Sequence, residues 1–149
     1  MNESIQTVIS AVTGNLGDTN LTPLVEPVVK RLVSFGYSPT EDDVWVITFS
    51  IQKAANHVLN EINQNEIPKG LTEVAVDMSC GEFLNAKYLS GQLEIGKLDL
   101  SGIVETIKEG DTSVSFKDGS SDEEKLNALI GWMTSGKETD FLCFRKMRW

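Results

Sequence analysis

The stretch that leaves this chain least freedom is Ser38-Pro39-Thr40-Glu41-Asp42-Asp43 and the apolar recurrence that follows it. The Ser38 hydroxyl can accept from the amide at N3 while Glu41 reaches back, Pro39 suits the first helical position, and Asp42 and Asp43 place negative charge at the positive end of the helix dipole. Val44, Ile47, Ile51, Ala55, Val58 and Ile62 then recur at steps of three and four. Trp45, Phe49, Ala54 and Leu59 widen the stripe, so the spacing predicts a helix over 39–63 with both sides covered. Such a helix is roughly 37 Å long at about 1.5 Å per residue and would form the long axis of the domain.

Asn63-Gln64-Asn65 breaks the pattern, and Pro68 opens a second long helix over 68–90. Leu71, Val74, Ala75, Met78, Phe83 and Leu84 lie on its main stripe, with Val76 and Cys80 on another. Gly81 costs such a helix about 1 kcal/mol relative to alanine, which is understandable where another backbone comes close. Two long helices with apolar residues on two sides are expected to pack antiparallel at the centre of a bundle.

Shorter elements flank this pair. Ile5, Val8, Ile9, Val12 and Leu16 predict a helix over 4–13, capped by Ser4 and stopped at Gly14 and Gly17. Leu24, Val25, Val28, Val29 and Leu32 predict another over 27–35, beginning near Pro27 because a proline disfavours helix just before it. Gly36 suits the left-handed residue that closes it. After Gly91, QLEIGKLDL reads as a loop with extended character, and Leu100, Ile103, Val104 and Ile107 as a helix over 100–108 stopped by Gly110. Thr112 to Phe116 alternates, with Val114 and Phe116 on one face, and predicts a strand near 112–117. A lone strand needs a backbone partner, either the C-terminal arm or a neighbouring copy. Ser121-Asp122-Glu123-Glu124 is a second capping box, and Leu126, Leu129, Ile130 and Met133 carry a helix over 122–135. The arm, 137–149, interleaves Phe141, Leu142, Cys143, Phe144, Met147 and Trp149 with Arg145, Lys146 and Arg148. The fold class expected is mainly α: a small antiparallel helix bundle with a short β element and an extended C-terminal arm. At 149 residues the chain suits one domain, 1–149.

Charge narrows the functional classes. The net charge is −9, which disfavours wrapping of nucleic acid by phosphate neutralisation. Residues 136–149 hold four basic side chains against two acidic, a net +2, which leaves −11 for residues 1–135. An acidic body thus carries a basic arm, and the two are expected to meet different surfaces. No apolar run approaches the ~20 residues of a membrane span, and the first residues lack the basic start and apolar centre of a signal peptide. Cys80 and Cys143 lack metal-ligand spacing and are expected to be reduced core thiols.

Catalytic patterns are weak. Glu73 and Asp77 share a helical face at i, i+4, and Glu41, Asp42 and Asp43 crowd a helix start; a solvated face and a helix cap account for them. His57 is the single histidine, and no phosphate-binding glycine loop or G-x-S-x-G occurs. No enzyme activity, no cofactor and no metal site are expected.

The ordered set TEDDVWVITFSIQKAANHVLNEIN, IPKGLTEVAVDMSCGEFL, IKEGDTSVSF and FLCFRKMRW resembles the head-tail connector family of tailed phages, also called adaptor or head-completion proteins. The resemblance covers about residues 21–149 and rests on order and spacing rather than on any one string. QLEIGKLDL departs from the pattern. The resemblance implies a structural virion protein of the neck, present in the host cytoplasm during assembly. It forms a homo-oligomeric ring, typically dodecameric, beneath the portal protein, extends the DNA channel and offers a docking surface to the next neck or tail-completion protein. DNA would pass through the lumen without sequence-specific binding. Carried onto this chain, the resemblance puts Phe141, Phe144, Arg145, Met147 and Trp149 at the portal contact, and the pairing strand at Thr112, Val114 and Phe116.

Two physical points agree with that reading. A channel that passes DNA without holding it should present like charge. An arm that alternates aromatic anchors with arginine has the composition of interface hot spots and can add a strand to a partner. The alternative, from another class, is a monomeric acidic module that binds a basic protein surface as a DNA mimic. Deleting 141–149 is expected to leave the bundle folded and abolish portal attachment; loss of the cooperative melting transition would place the arm in the chain's own core.

Overall fold

The computed structural model describes residues 3–17, 20–100, 121–134 and 141–147. Five α-helices are described: α1 (Glu3–Leu16), α2 (Val25–Ser34), α3 (Val44–Ile62), α4 (Thr72–Leu89) and α5 (Asp122–Thr134). No strand occurs among the described residues. The strand expected near 112–117, its residues Thr112, Val114 and Phe116, and the helix expected over 100–108 beyond Leu100 lie outside them.

Helices α3 and α4 run antiparallel, as the apolar stripes predict. Asp43, just before α3, meets Lys87 near the end of α4, and Lys53 meets Glu82 further along. Around this pair the packing closes: α1 lies on α3, α2 on both α1 and α4, and α5 on a further side of α4. Four helices therefore surround a core that includes Val8, Val28, Leu32, Ile51, Val58 and Phe83, and α5 extends it on the far side of α4 with Leu126, Leu129 and Met133. This arrangement explains why α4 is apolar on two sides. Cys80 points to α2, where its thiol contacts the Val28 carbonyl at 3.6 Å, while Gly81 meets α5.

Gly81 is the close approach that its place in a helix suggests. A Cβ there would stand 2.9 Å from Met133 Cβ and 2.7 Å from Thr134 Cγ2. Met133 Cβ is tied to the α5 backbone, so the two helices would have to separate. Gly81→Ala should therefore lower stability by about 1–2 kcal/mol, the cost of overpacking outweighing the gain in helix propensity. Chemical denaturation measures it; a stabilised variant would show that α5 does not sit closely on α4.

Several boundaries differ from the expectation. Helix α1 runs through Gly14 and closes at Gly17, whose φ of +65° suits a glycine. Helix α2 begins two residues before Pro27, after a 3-10 turn at Thr22–Leu24; a proline in the first turn has no intrahelical bond to lose. The cap of the long helix sits at Thr40, not Ser38: a 3-10 turn Glu41–Asp43 leads into α3, and Asp43 Oδ2 accepts from the Thr40 N–H at 3.0 Å. The Ser121 half of the second capping box stands where expected, with the Glu124 N–H donating to Ser121 Oγ at 3.1 Å.

QLEIGKLDL contains one 3-10 turn, Ile95–Lys97, and docks on the end of α2. Asp99 N–H donates to the Phe35 carbonyl at 2.9 Å, and Leu98 is buried. Gly36 permits this approach, since its φ is +89° and a Cβ there would lie 2.8 Å from the Lys97 carbonyl oxygen.

The expectation that both sides of α3 are covered fails among the described residues. Trp45 is 73% exposed and Phe49 61%. Helices α1 and α4 and the arm occupy only the Ile47, Ile51, Val58 and Ile62 side. A widened apolar stripe records that a face is suited to contact, and nothing local says whether this chain supplies the contact.

Candidate interaction surfaces

The last carbonyls of an α-helix lack intrahelical donors. At the end of α3 the chain turns through Asn63 in the left-handed region, φ 54°, and Gln64 N–H returns to the Leu59 carbonyl. The carbonyls of Glu61 and Ile62 are met from some eighty residues away, by the arm. Arg145 Nε donates to Glu61 O at 2.7 Å, its guanidinium lies 3.1 Å from the Glu61 carboxylate, and Lys146 N–H donates to Ile62 O at 2.7 Å. The Gln64 side-chain amide donates to the Phe144 carbonyl.

Apolar contacts seat the same segment. Phe141 is 2% exposed and stands edge-on to the His57 ring, 6.1 Å between centroids. The Phe144 ring lies over Gly70, where a Cβ would fall 2.5 Å from it. Leu142 and Met147 remain exposed.

Of the five residues assigned to a portal contact, Phe141 therefore lies in this chain's own core, Phe144 is half-buried on Gly70, Arg145 is engaged with Glu61, and Met147 is exposed. Trp149 lies outside the described residues, as do the pairing positions Thr112, Val114 and Phe116. The described part of the arm is short helix and turn over 141–144 followed by irregular chain, and it folds onto the α3–α4 elbow rather than extending away. Gly70 and Gln64 were not foreseen as its seat. The pairing of a small residue at 70 with an aromatic at 144 is visible only when the two are brought together.

A second buried constellation lies at the other end of the α3–α4 pair. Asp43 is 2% exposed; its carboxylate meets Lys87 Nζ at 2.8 Å and accepts from Tyr37 Oη at 2.8 Å and from the Thr40 N–H. Lys87 Nζ also donates to Gln92 Oε1 at 3.1 Å. Partners on several sides match the rule that buried charge must be paired and hydrogen-bonded. This is a clamp that ties the α2–α3 connection to the end of α4.

Glu73 and Asp77, the i, i+4 pair weighed for catalysis, line one groove beside cationic side chains. Asp77 pairs with Arg31 at 3.2 Å, and Arg31 lies over the Phe35 ring at 5.1 Å. Glu73 lines an open groove of about 590 Å³ between α2 and α4 with Lys30 and Arg31. Lys30 is itself paired with Glu26 at 2.7 Å, so positive and negative charge alternate there without a net field.

A buried thiol and a half-buried phenol predict an alkaline limit. Burial, then the negative charge of Asp77, pushes the Cys80 thiol up, with Arg31 partly opposing. Burial, then the hydrogen bond to Asp43 and its charge, likewise pushes Tyr37 up. Both groups keep their protons in the folded chain while the unfolded chain loses them above about pH 8.5 and pH 10. The stabilisation is complete below those values and declines as pH rises. Cys80 contributes up to about 1.4 kcal/mol per pH unit, with a smaller, solvent-screened part from Tyr37. Urea unfolding between neutral and strongly alkaline pH should show the decline, and Cys80→Ala should flatten it; an unchanged slope would refute the assignment. Cys143, in contrast to the expectation of a core thiol, is exposed.

Among the described residues no group of three or more His, Cys, Asp or Glu side chains is arranged to hold a metal ion, and no helix is long and apolar enough to cross a membrane. Comparison of the chain with protein-family models, with curated proteins and with solved structures returns no match.

Proposed function

We propose that this chain is a head-tail connector subunit, one copy of a ring that sits below a phage portal, extends the DNA channel and joins capsid to tail. The observation that carries the reading is the arm: a segment of basic and apolar side chains held on the surface of an acidic body. Arg145 and Lys146 are exposed there beside Leu142 and Met147. The resemblance in order and spacing over residues 21–149 supplies the assignment to the neck, and the −11 charge of residues 1–135 suits a wall past which DNA slides.

In this reading Met147 and Leu142 make the first contact with the portal, and the arm then exchanges its bonds at Glu61 and Ile62 for bonds to the partner. The exchange is inexpensive in its outer part, because an exposed ion pair contributes only about 0–1 kcal/mol. Phe144 leaves Gly70 in the same step, while Phe141 stays as the anchor.

Electron microscopy of the chain mixed with its cognate portal ring tests this. The expected result is an added ring of density beneath the portal, lost when Met147 and Leu142 are both replaced by aspartate. Portal rings that stay bare in the presence of excess folded chain would overturn the proposal. A chain that remains monomeric and binds basic DNA-binding proteins instead would favour the acidic-mimic reading.

A further inference from the structure

Helices α1 and α3 lie side by side, and together they are poor in charge. The 14 residues of α1 and the 19 of α3 hold three charged side chains, Glu3, Lys53 and Glu61, in a chain that is 23% charged overall. Two of the three are already paired: Lys53 with Glu82 at 3.0 Å and Glu61 with Arg145 at 3.1 Å. The outward positions of α3 include Trp45, Phe49, Gln52, Asn56 and Asn60, all exposed, at the i, i+3, i+4 spacing of one stripe, with exposed Lys53 and His57 along its edge. Two exposed aromatics followed by three neutral amides are what remains on the face that α1 and α4 leave open. Elsewhere the acid is dense, with Asp122, Glu123 and Glu124 opening α5.

The geometry points to a second copy of this chain as the occupant of the α3 stripe. Two bodies that each carry a net charge of −9 repel at most orientations, and like charges brought together in an interface cost several kcal/mol. On the α1/α3 side two copies can meet along the aromatic and amide part of the stripe, with the exposed Glu41 and Asp42, one turn before Trp45, kept at its end. Its chemistry matches the centre of an interface, aromatic and depleted of charge, whereas a strongly basic partner would be drawn to the acidic faces instead. Helix α3 is about 28 Å long, and two adjacent helices present a strip about 20 Å wide. That places the contact at the small end of stable interfaces and predicts association that depends on concentration.

The inference shares with the ring reading only the expectation that copies associate, and the test separates the two. Sedimentation of the purified full chain from micromolar to millimolar concentration, at low and high salt, should show association that strengthens as salt screens the net charge. Tryptophan emission, measured with Trp132→Phe and Trp149→Phe in place so that it reports Trp45, should shift to the blue in step. The double variant Trp45→Glu/Phe49→Glu should weaken association at least ~10-fold, as loss of aromatic anchors at an interface centre does. Leu89→Glu, the same kind of change at an exposed leucine outside the stripe, should not. Circular dichroism confirms that each variant is folded.

Dimers that the double variant abolishes would support the α3 contact and count against a ring. Rings indifferent to the double variant, or equally weakened by Leu89→Glu, would overturn the α3 contact and leave the ring reading standing; dimers with either behaviour would overturn the α3 contact and count against the ring as well. A chain monomeric at every concentration, with portal present, would overturn both.

Discussion

Asp43→Ala should lower the free energy of unfolding by about 3–5 kcal/mol, the cost of removing one partner from a buried ion pair. Lys87 would keep its ammonium group among buried neighbours with only Gln92 as a partner, and the Tyr37 hydroxyl and the Thr40 N–H would lose their acceptor. Domains of this kind have only about 5–15 kcal/mol to lose, so the variant should be visibly less stable in urea at neutral pH. The informative companion is Asp43→Ala/Lys87→Met, which removes both charges. It should recover a substantial part of the loss, because a buried pair contributes less than the isolated charge costs. A double variant no better than Asp43→Ala would mean that the damage comes from the lost bonds of Thr40 and Tyr37 and that Lys87 reaches solvent.

Truncation of the arm should give two distinct results according to where it is cut. Removing residues 141–149 takes Phe141 out of the core and should cost about 3–5 kcal/mol, as large-to-small changes at buried aromatics do. Removing 145–149 leaves Phe141 and Phe144 seated and takes away the Arg145 and Lys146 bonds to Glu61 and Ile62. That loss is about 1–2 kcal/mol, from one exposed ion pair and two hydrogen bonds. Melting of the two truncated chains, followed by circular dichroism, separates the cases. Equal stability of both with the full chain would show that the arm is not part of the core. Portal attachment, on the proposed function, is lost in both, so the shorter deletion is the one that isolates docking from folding.

The arm also shows how far the residues could be read without their neighbours. Its apolar run at 141–144 is poorly suited to solvent, and Phe141 has cover. The cover is neither a strand of this chain among the described residues nor free solvent but the elbow between α3 and α4, reached through Gly70 and Gln64. Glycine at 70 carries no local signal for this, since the residue suits the middle of a 3-10 turn equally well without an aromatic above it. The Thr40 cap is similar. Ser38 and Thr40 both suit a helix start, and the choice between them follows Asp43, which Lys87 and Tyr37 hold in place.

The amino-acid order by itself determined that the chain is mainly helical, where α3, α4 and α5 lie to within a few residues, that α3 and α4 pair, that Gly36 closes α2 in the left-handed region and that Gly81 stands at a close approach. Those properties depend on interactions within a turn or two, or on a stripe that runs the length of one helix. The tertiary structure decided which of the apolar stripes are covered: α4 on both sides by α2, α3 and α5, and α3 on one, with Trp45 and Phe49 left outside. It also decided that the arm closes the end of α3. The reason is that periodicity measures a face's fitness for contact, while the contact itself depends on a second surface whose position the whole packing arrangement sets.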